Sequence, residues 1–275
     1  MAKLQKIALH GVPRSGTTWL GSILDSSPNV AYRFQPLFSY GHKSFLNENS
    51  SIDDINIFFE NILNTNDDFV LQKDAIKKGL VPAFKKENIT HIVYKEVRYH
   101  HIIQNLLEKD NNIKVIGIVR NPKSVISSWY NAPKEFKKDE WNLMEEWKYA
   151  NKKNLNRKEE FNGYIKWKEV ANLFLQLKEN YPDRFLLVKY DTLLNETINT
   201  INELFDFCRL ELTGQTMDFI NDSQKKDFSK DAYAVYRSNQ TDDKWKTSLP
   251  QEIIKEIDKD LSGTILEKFI ENDSH

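Results

Sequence analysis

A single cysteine, Cys208, stands in a chain of 275 residues. One thiol excludes an intrachain disulfide framework and a zinc site built from cysteines. Its neighbours Phe205 and Phe207 predict that it is buried. Charge of one sign is also missing: 39 Lys+Arg against 40 Asp+Glu leave a formal net charge of −1. That balance speaks against bulk attraction to nucleic acid or to an anionic membrane surface. No apolar run is long enough to span a bilayer. The first strand-like stretch begins at Ile7, which leaves no room for a signal peptide, so a cytoplasmic protein without an integral membrane segment is expected. Internal repeats, low-complexity tracts and linkers are absent as well, and the expectation is one α/β domain over residues 1–275.

What is present alternates between strand and helix. Strands are expected at 7–10, at His91 to Lys95, at Ile113 to Val119 and at Phe185 to Tyr190, with an extended piece at Val30 to Phe34. Helices are expected at 17–24, at Asp53 to Leu63, at 102–107, at Pro122 to Trp129 with Asn121 as cap, at Gly163 to Leu177, at Asn195 to Phe207 and at Pro250 to Leu261. The charged stretch from Asn131 to Glu160, with Trp141 and Trp147, reads as a solvated helical insertion or a mobile lid. Gln224 to Trp245 reads as a long loop. The alternation implies a mostly parallel sheet with helices on both faces, and a ligand site beyond the carboxyl ends of its strands.

The loop after the first strand carries the strongest signal. Gly11-Val12-Pro13-Arg14-Ser15-Gly16-Thr17-Thr18 has the spacing of the phosphate-binding P-loop, with Thr17 where its lysine belongs. A strand before and a helix after aim backbone N–H groups and the helix dipole at an anion. The missing lysine normally reaches the terminal phosphates of a nucleoside triphosphate. Here Arg14 and the hydroxyls of Ser15, Thr17 and Thr18 take its place. A second group is Arg120 at a strand end, with Ser128 two turns into the next helix; arginine and serine together suit a second phosphate. A third is Tyr236-Arg237-Ser238-Asn239, followed by Trp245-Lys246.

These segments jointly resemble the sulfotransferases that use 3′-phosphoadenosine 5′-phosphosulfate (PAPS). Val12 to Leu20 is similar to that family's 5′-phosphosulfate loop, and Arg120 with Ser128 to its 3′-phosphate motif. The segment from Arg237 through Asp243 to Lys246 is similar to its C-terminal phosphate loop. Leu187 to Asp191 resembles the strand whose tyrosine lies near adenine. The resemblance implies a P-loop-like α/β fold with PAPS as sulfuryl donor, 3′-phosphoadenosine 5′-phosphate (PAP) as product, and no required metal. It places Arg14, Ser15, Gly16, Thr17 and Thr18 on the 5′-phosphosulfate, Trp19 and Tyr190 at adenine, and Arg120, Ser128, Arg237, Ser238 and Asn239 around the 3′-phosphate. An arginine at position 14 is nearer to the carbohydrate and protein-tyrosine branches than to the cytosolic small-molecule one.

The general base is where this chain departs from the family. The glutamate that often follows the first helix in the carbohydrate branch is Gln35 here. The histidine of the small-molecule branch has no counterpart in Lys95-Glu96-Val97-Arg98-Tyr99-His100-His101. Glu96 is the first substitute, with His100 and His42 behind it, and Lys95 is placed to hold the transferring sulfonate. The Phe34 to Phe38 segment resembles that of carbohydrate-type members more than steroid or phenol types, and the resemblance implies a hydroxyl (or amine) acceptor on a glycan or glycan precursor. Two rival readings stay open: a P-loop kinase or NTPase with Asp191 as the metal-binding carboxylate, and a non-catalytic nucleotide-binding module.

Overall fold

Odd-numbered and even-numbered positions of each strand go to different cores, and this sets the architecture. The computed structural model describes residues 4–226, 235–236 and 241–270. The first half runs β1 (Gln5–His10), α1 (Thr17–Asp25), β2 (Val30–Phe34), α2 (Ile52–Leu63), α3 (Lys73–Lys77), β3 (His91–Glu96), α4 (Ile103–Lys109), β4 (Ile113–Val119) and α5 (Pro122–Tyr130). There follow α6 (Leu143–Glu146), α7 (Asn151–Asn154), α8 (Tyr164–Asn180), β5 (Phe185–Lys189), α9 (Tyr190–Asn195), α10 (Thr197–Cys208), α11 (Gly214–Lys225), α12 (Trp245–Ser248) and α13 (Gln251–Leu261).

The five strands form one parallel sheet in the order β2-β3-β1-β4-β5. Side chains alternate across a strand. Ala8, Tyr94 and Val115 therefore join a core with α2, α4, α5, α8 and α13, while Ile7, Leu9, Val93 and Ile116 join a second core with α1, α10 and α11. Both faces are covered, as a parallel sheet requires. Chain order leaves β1 in one direction towards β2 and β3, and in the other towards β4 and β5. The crevice at that reversal, above the carboxyl ends of β1 and β4, is where such sheets take ligands.

Most expected elements are present to within a few residues. Asn121 caps α5, its side chain accepting a hydrogen bond from Lys123 N at 3.0 Å. Cys208 is fully buried. The 131–160 stretch differs from both readings of it. Phe136 and Trp147 are buried and Trp141 is half-buried, and all three belong to the first core. Phe136 meets the rings of Trp129, Tyr130 and Trp141 edge-on at 4.9, 5.2 and 5.5 Å. Widely spaced aromatics among charges have no helical period, so the sequence hid an anchored segment. Of the expected long loop, 227–234 and 237–240 lie outside the described residues. No helix among the described residues is long and apolar enough to cross a membrane.

Candidate active site

All five strands deliver a residue to one cleft of about 470 Å³ at their carboxyl ends. The loop 11–16 follows β1, Gln35 follows β2, Lys95 lies on β3, Arg120 follows β4, and Tyr190 follows β5.

The loop's shape follows from close packing. A Cβ on Gly11 would meet Ile118 Cγ2 at 2.7 Å and Ile118 O at 2.8 Å, so only glycine lets the loop lie on β4. Gly16 caps α1 at φ 91°, and a Cβ there would sit 2.4 Å from Tyr190 Cδ2. Arg14 also takes a left-handed conformation, φ 72°, which costs an ordinary residue about 1–2 kcal/mol. Ser15 N donating to Val12 O at 3.2 Å and Arg120 NH1 donating to Arg14 O at 2.8 Å hold that turn. Ser15 is fully buried, and its Oγ has no partner among the described residues.

The two arginines do different things. Arg14 Nε donates to Ser128 Oγ at 3.0 Å, and its NH1 lies 3.4 Å from Glu135 Oε1. Arg120 donates from Nε to Asp242 Oδ2 at 2.9 Å and from NH2 to Asp242 Oδ1. Its guanidinium lies over the Tyr190 ring, 4.6 Å from the centroid. Burial works against the Arg120 charge, but the Asp242 carboxylate holds its pKa above the ordinary arginine value. Ser124 Oγ donates to Asp242 O at 3.0 Å, so the Asp242 backbone is fixed as well.

Trp19 and Tyr190 meet edge-on at 6.3 Å on one wall. Trp19 Nε1 donates to Ser223 Oγ at 3.0 Å, which brings α11 to the cleft; Ser223 was not foreseen, since serine in a polar helix carries no signal. Another part of the lining is aromatic and cationic. Phe34 and Phe38 each meet Phe69 edge-on, at 5.4 and 5.7 Å. Lys95 Nζ lies 4.1 Å from the Phe34 centroid, because the two residues are paired across β2 and β3. Arg98 lies 4.0 Å over Phe38 and donates from Nε to Glu160 Oε1 at 2.9 Å.

The three residues named as substitute bases are not on the cleft. Adjacent strand residues point to opposite faces, so Lys95 lines the cleft and Glu96 turns away into the protein. Glu96 is fully buried and accepts from Leu37 N at 2.8 Å. Burial pushes its carboxyl pKa up to about 8, and burial pulls the Lys95 ammonium down to about 7. His100 is fully buried beside His10, Nδ1 to Nδ1 3.2 Å, and burial lowers the pKa of both. His42 lies 3.4 Å from Thr65 Oγ1 and does not line the cleft. Asp191 Oδ1 accepts from Thr192 N at 2.9 Å and is likewise off the cleft. Arg237, Ser238 and Asn239 lie outside the described residues. Glu135, which the sequence reading passed over within a charged stretch, does line the cleft.

Comparison with known proteins decides the family. The sulfotransferase domain matches residues 4–269. The chain belongs to the sulfotransferase domain family. Among curated relatives, carbohydrate sulfotransferase 5 of Mus musculus is 25% identical over 197 residues, covering 64% of this chain and 47% of that protein. Carbohydrate sulfotransferase 3 of Tetronarce californica is 25% identical over 178 residues, covering 61% of this chain and 38% of that protein. The chain thus spans less than half the length of these two relatives. Among solved structures, mouse sulfotransferase SULT7A1 complexed with PAP superposes with a TM-score of 0.58 at 14% identity, covering 97% of this chain and 87% of that one. This last likeness establishes a common sulfotransferase fold.

Proposed function

We propose that this sulfotransferase-family chain moves the sulfuryl group of PAPS onto a hydroxyl of a carbohydrate acceptor. One observation carries the reading: a P-loop-like turn bearing Arg14, a second half-buried arginine, Arg120, and an aromatic wall open onto the same cleft. The residues fit such a donor. The orphaned Ser15 Oγ and the glycine-only contour at Gly16 suit an anionic group at the start of α1. Arg120 already holds a carboxylate in a fork geometry that a 3′-phosphate would match. Trp19 and Tyr190 offer ring surface to adenine.

When bound, PAPS supplies an activated sulfuryl group whose leaving oxygen gains negative charge as the bond breaks. Arg14 and the loop hydroxyls meet that charge with fixed donors, which is the largest single source of rate in such sites. Arg14 is permanently charged, so its part is electrostatic. Lys95 lines the same cleft as Arg14, with its ammonium over the Phe34 ring. The Phe34, Phe38 and Phe69 rings suit the apolar face of a sugar, and the two carbohydrate sulfotransferases among the relatives support that acceptor class.

The test is thermal stabilisation by PAP beside ATP with magnesium. A ligand at about 100 times its Kd adds roughly 2.7 kcal/mol. Stabilisation by PAP with none by ATP is expected; the reverse would replace the reading with a nucleotide kinase or hydrolase. Sulfation of an aglycone while a panel of sugars is refused would overturn the carbohydrate acceptor alone.

A further inference from the structure

Transfer to a hydroxyl must dispose of a proton, and the residues that usually take it are missing or turned away. Gln35 is an amide and accepts no proton. Glu96, His100 and His42 are off the cleft. Among the described residues lining the cleft, Glu135 supplies the one carboxylate, and none is a histidine or cysteine.

We propose that Glu135 is the catalytic base that takes the acceptor's proton; this rests on the sulfotransferase reading above. Its position is built by packing. The chain turns after α5, with Glu135 N donating to Ala132 O at 2.8 Å and Phe136 N to the same oxygen at 2.9 Å. Phe136 is driven into the core against Trp129, Tyr130 and Trp141. Neighbouring side chains then diverge, and burying Phe136 leaves Glu135 facing the cleft. A core anchor one residue away fixes a carboxylate better than a free loop does, as a base that must meet one oxygen requires.

Its surroundings fit the role. Glu135 lies 3.4 Å from Arg14 and lines the same cleft as Lys95. The carboxylate thus touches the group expected to meet the sulfonate and shares the cleft with the one expected to border the acceptor. The Arg14 contact is longer than the 2.7–2.9 Å of a tight charge-assisted bond, so the carboxylate is not committed to the arginine. Its side chain keeps 19% of its surface exposed, unlike Glu96, and that opening is towards the cleft.

The step balances as follows. An acceptor O–H gives its proton to a Glu135 oxygen. The freed electron pair makes the new S–O bond, and the S–O bond to the donor's 5′-phosphate breaks with its pair on the phosphate oxygen. The products are a sulfate ester, PAP and a protonated Glu135, which returns its proton to water.

The experiment uses acceptors that differ in their need for a base. Water and methyl N-acetylglucosaminide must lose a proton, whereas 4-nitrophenol is already largely ionised at about pH 8. Glu135→Gln is expected to slow PAPS hydrolysis and sugar sulfation by about 10²–10⁴-fold. Transfer to 4-nitrophenolate should change less than about fivefold, and PAP should stabilise variant and wild type alike. Glu135→Asp keeps a carboxylate on a shorter stem and should recover part of the lost rate. Equal losses with every acceptor would mark a structural role and overturn the assignment, as would undiminished hydrolysis. A Gln variant that does not fold, beside an Asp variant as slow as an alanine variant, would also overturn it. If wild type neither binds PAP nor consumes PAPS, the sulfotransferase reading itself falls; PAP binding with active Glu135→Gln removes only the base.

Discussion

Replacing Gly16 with alanine tests the anion loop directly, and the structure sets the size of the effect. The residue sits at φ 91°, ψ 8°, where an L side chain costs roughly 1–2 kcal/mol. The added Cβ would lie 2.4 and 2.5 Å from Tyr190 Cδ2 and Cε2, about an ångström inside ordinary contact. The ring cannot simply swing clear, because Arg120 covers it at 4.6 Å and Trp19 meets its edge at 6.3 Å. Overpacking of this kind adds about 1–3 kcal/mol. Gly16→Ala should therefore destabilise the fold by roughly 2–5 kcal/mol, lowering Tm by about 5–15 °C. Movement of Tyr190 and the loop together should also weaken PAP binding by at least about tenfold. Gly41→Ala is the control: nothing lies within 4 Å of its added Cβ, so a change under about 0.5 kcal/mol is expected. Scanning calorimetry of both variants with and without PAP reads all four quantities. A Gly16 variant within 2 °C of wild type, with unchanged PAP stabilisation, would refute both the packing argument and the loop's assignment.

Other perturbations separate the remaining roles. Arg120→Ala should weaken PAP by about tenfold to a hundredfold more than it weakens adenosine 5′-phosphosulfate, measured by calorimetric titration; equal losses would remove the 3′-phosphate role. Asp242→Asn frees the Arg120 fork from an internal anion and should tighten PAP by roughly fivefold, about 1 kcal/mol; weaker binding would mean that Asp242 serves mainly to hold the loop. Glu96 has its folded pKa raised from 4.5 to about 8, so the folded state binds the extra proton. The stability it contributes is present below the unfolded value and is lost as pH rises through that window. Glu96→Gln should flatten this decline in urea melts between about pH 4.5 and 8, and an unchanged slope would contradict the burial argument.

How far the sequence reached is clearest at β3. Strand period and the run His91 to Lys95 placed Lys95 and Glu96 at a strand end, but they did not say which of the two faces the cleft. That choice depends on register with β2, which sets Lys95 opposite Phe34. Glu135 was invisible for a related reason. A glutamate in a charged stretch looks solvated until Phe136 is seen packed among three aromatic rings. Asp242 on Arg120 is a pairing across 122 residues, beyond the reach of any local pattern.

Local chemistry was enough for much else. Glycine spacing, the strand before it and the helix after it determined a tight strand-to-helix turn of P-loop spacing, because close backbone approach and left-handed φ leave few alternatives. Apolar periodicity determined four strands with helices between them and an extended piece at Val30 to Phe34, which the fold makes the edge strand β2 of a parallel sheet. Tertiary structure alone decided which charges enter the cleft and which are buried behind it, because strand register and the packing of distant aromatics assign each side chain its face.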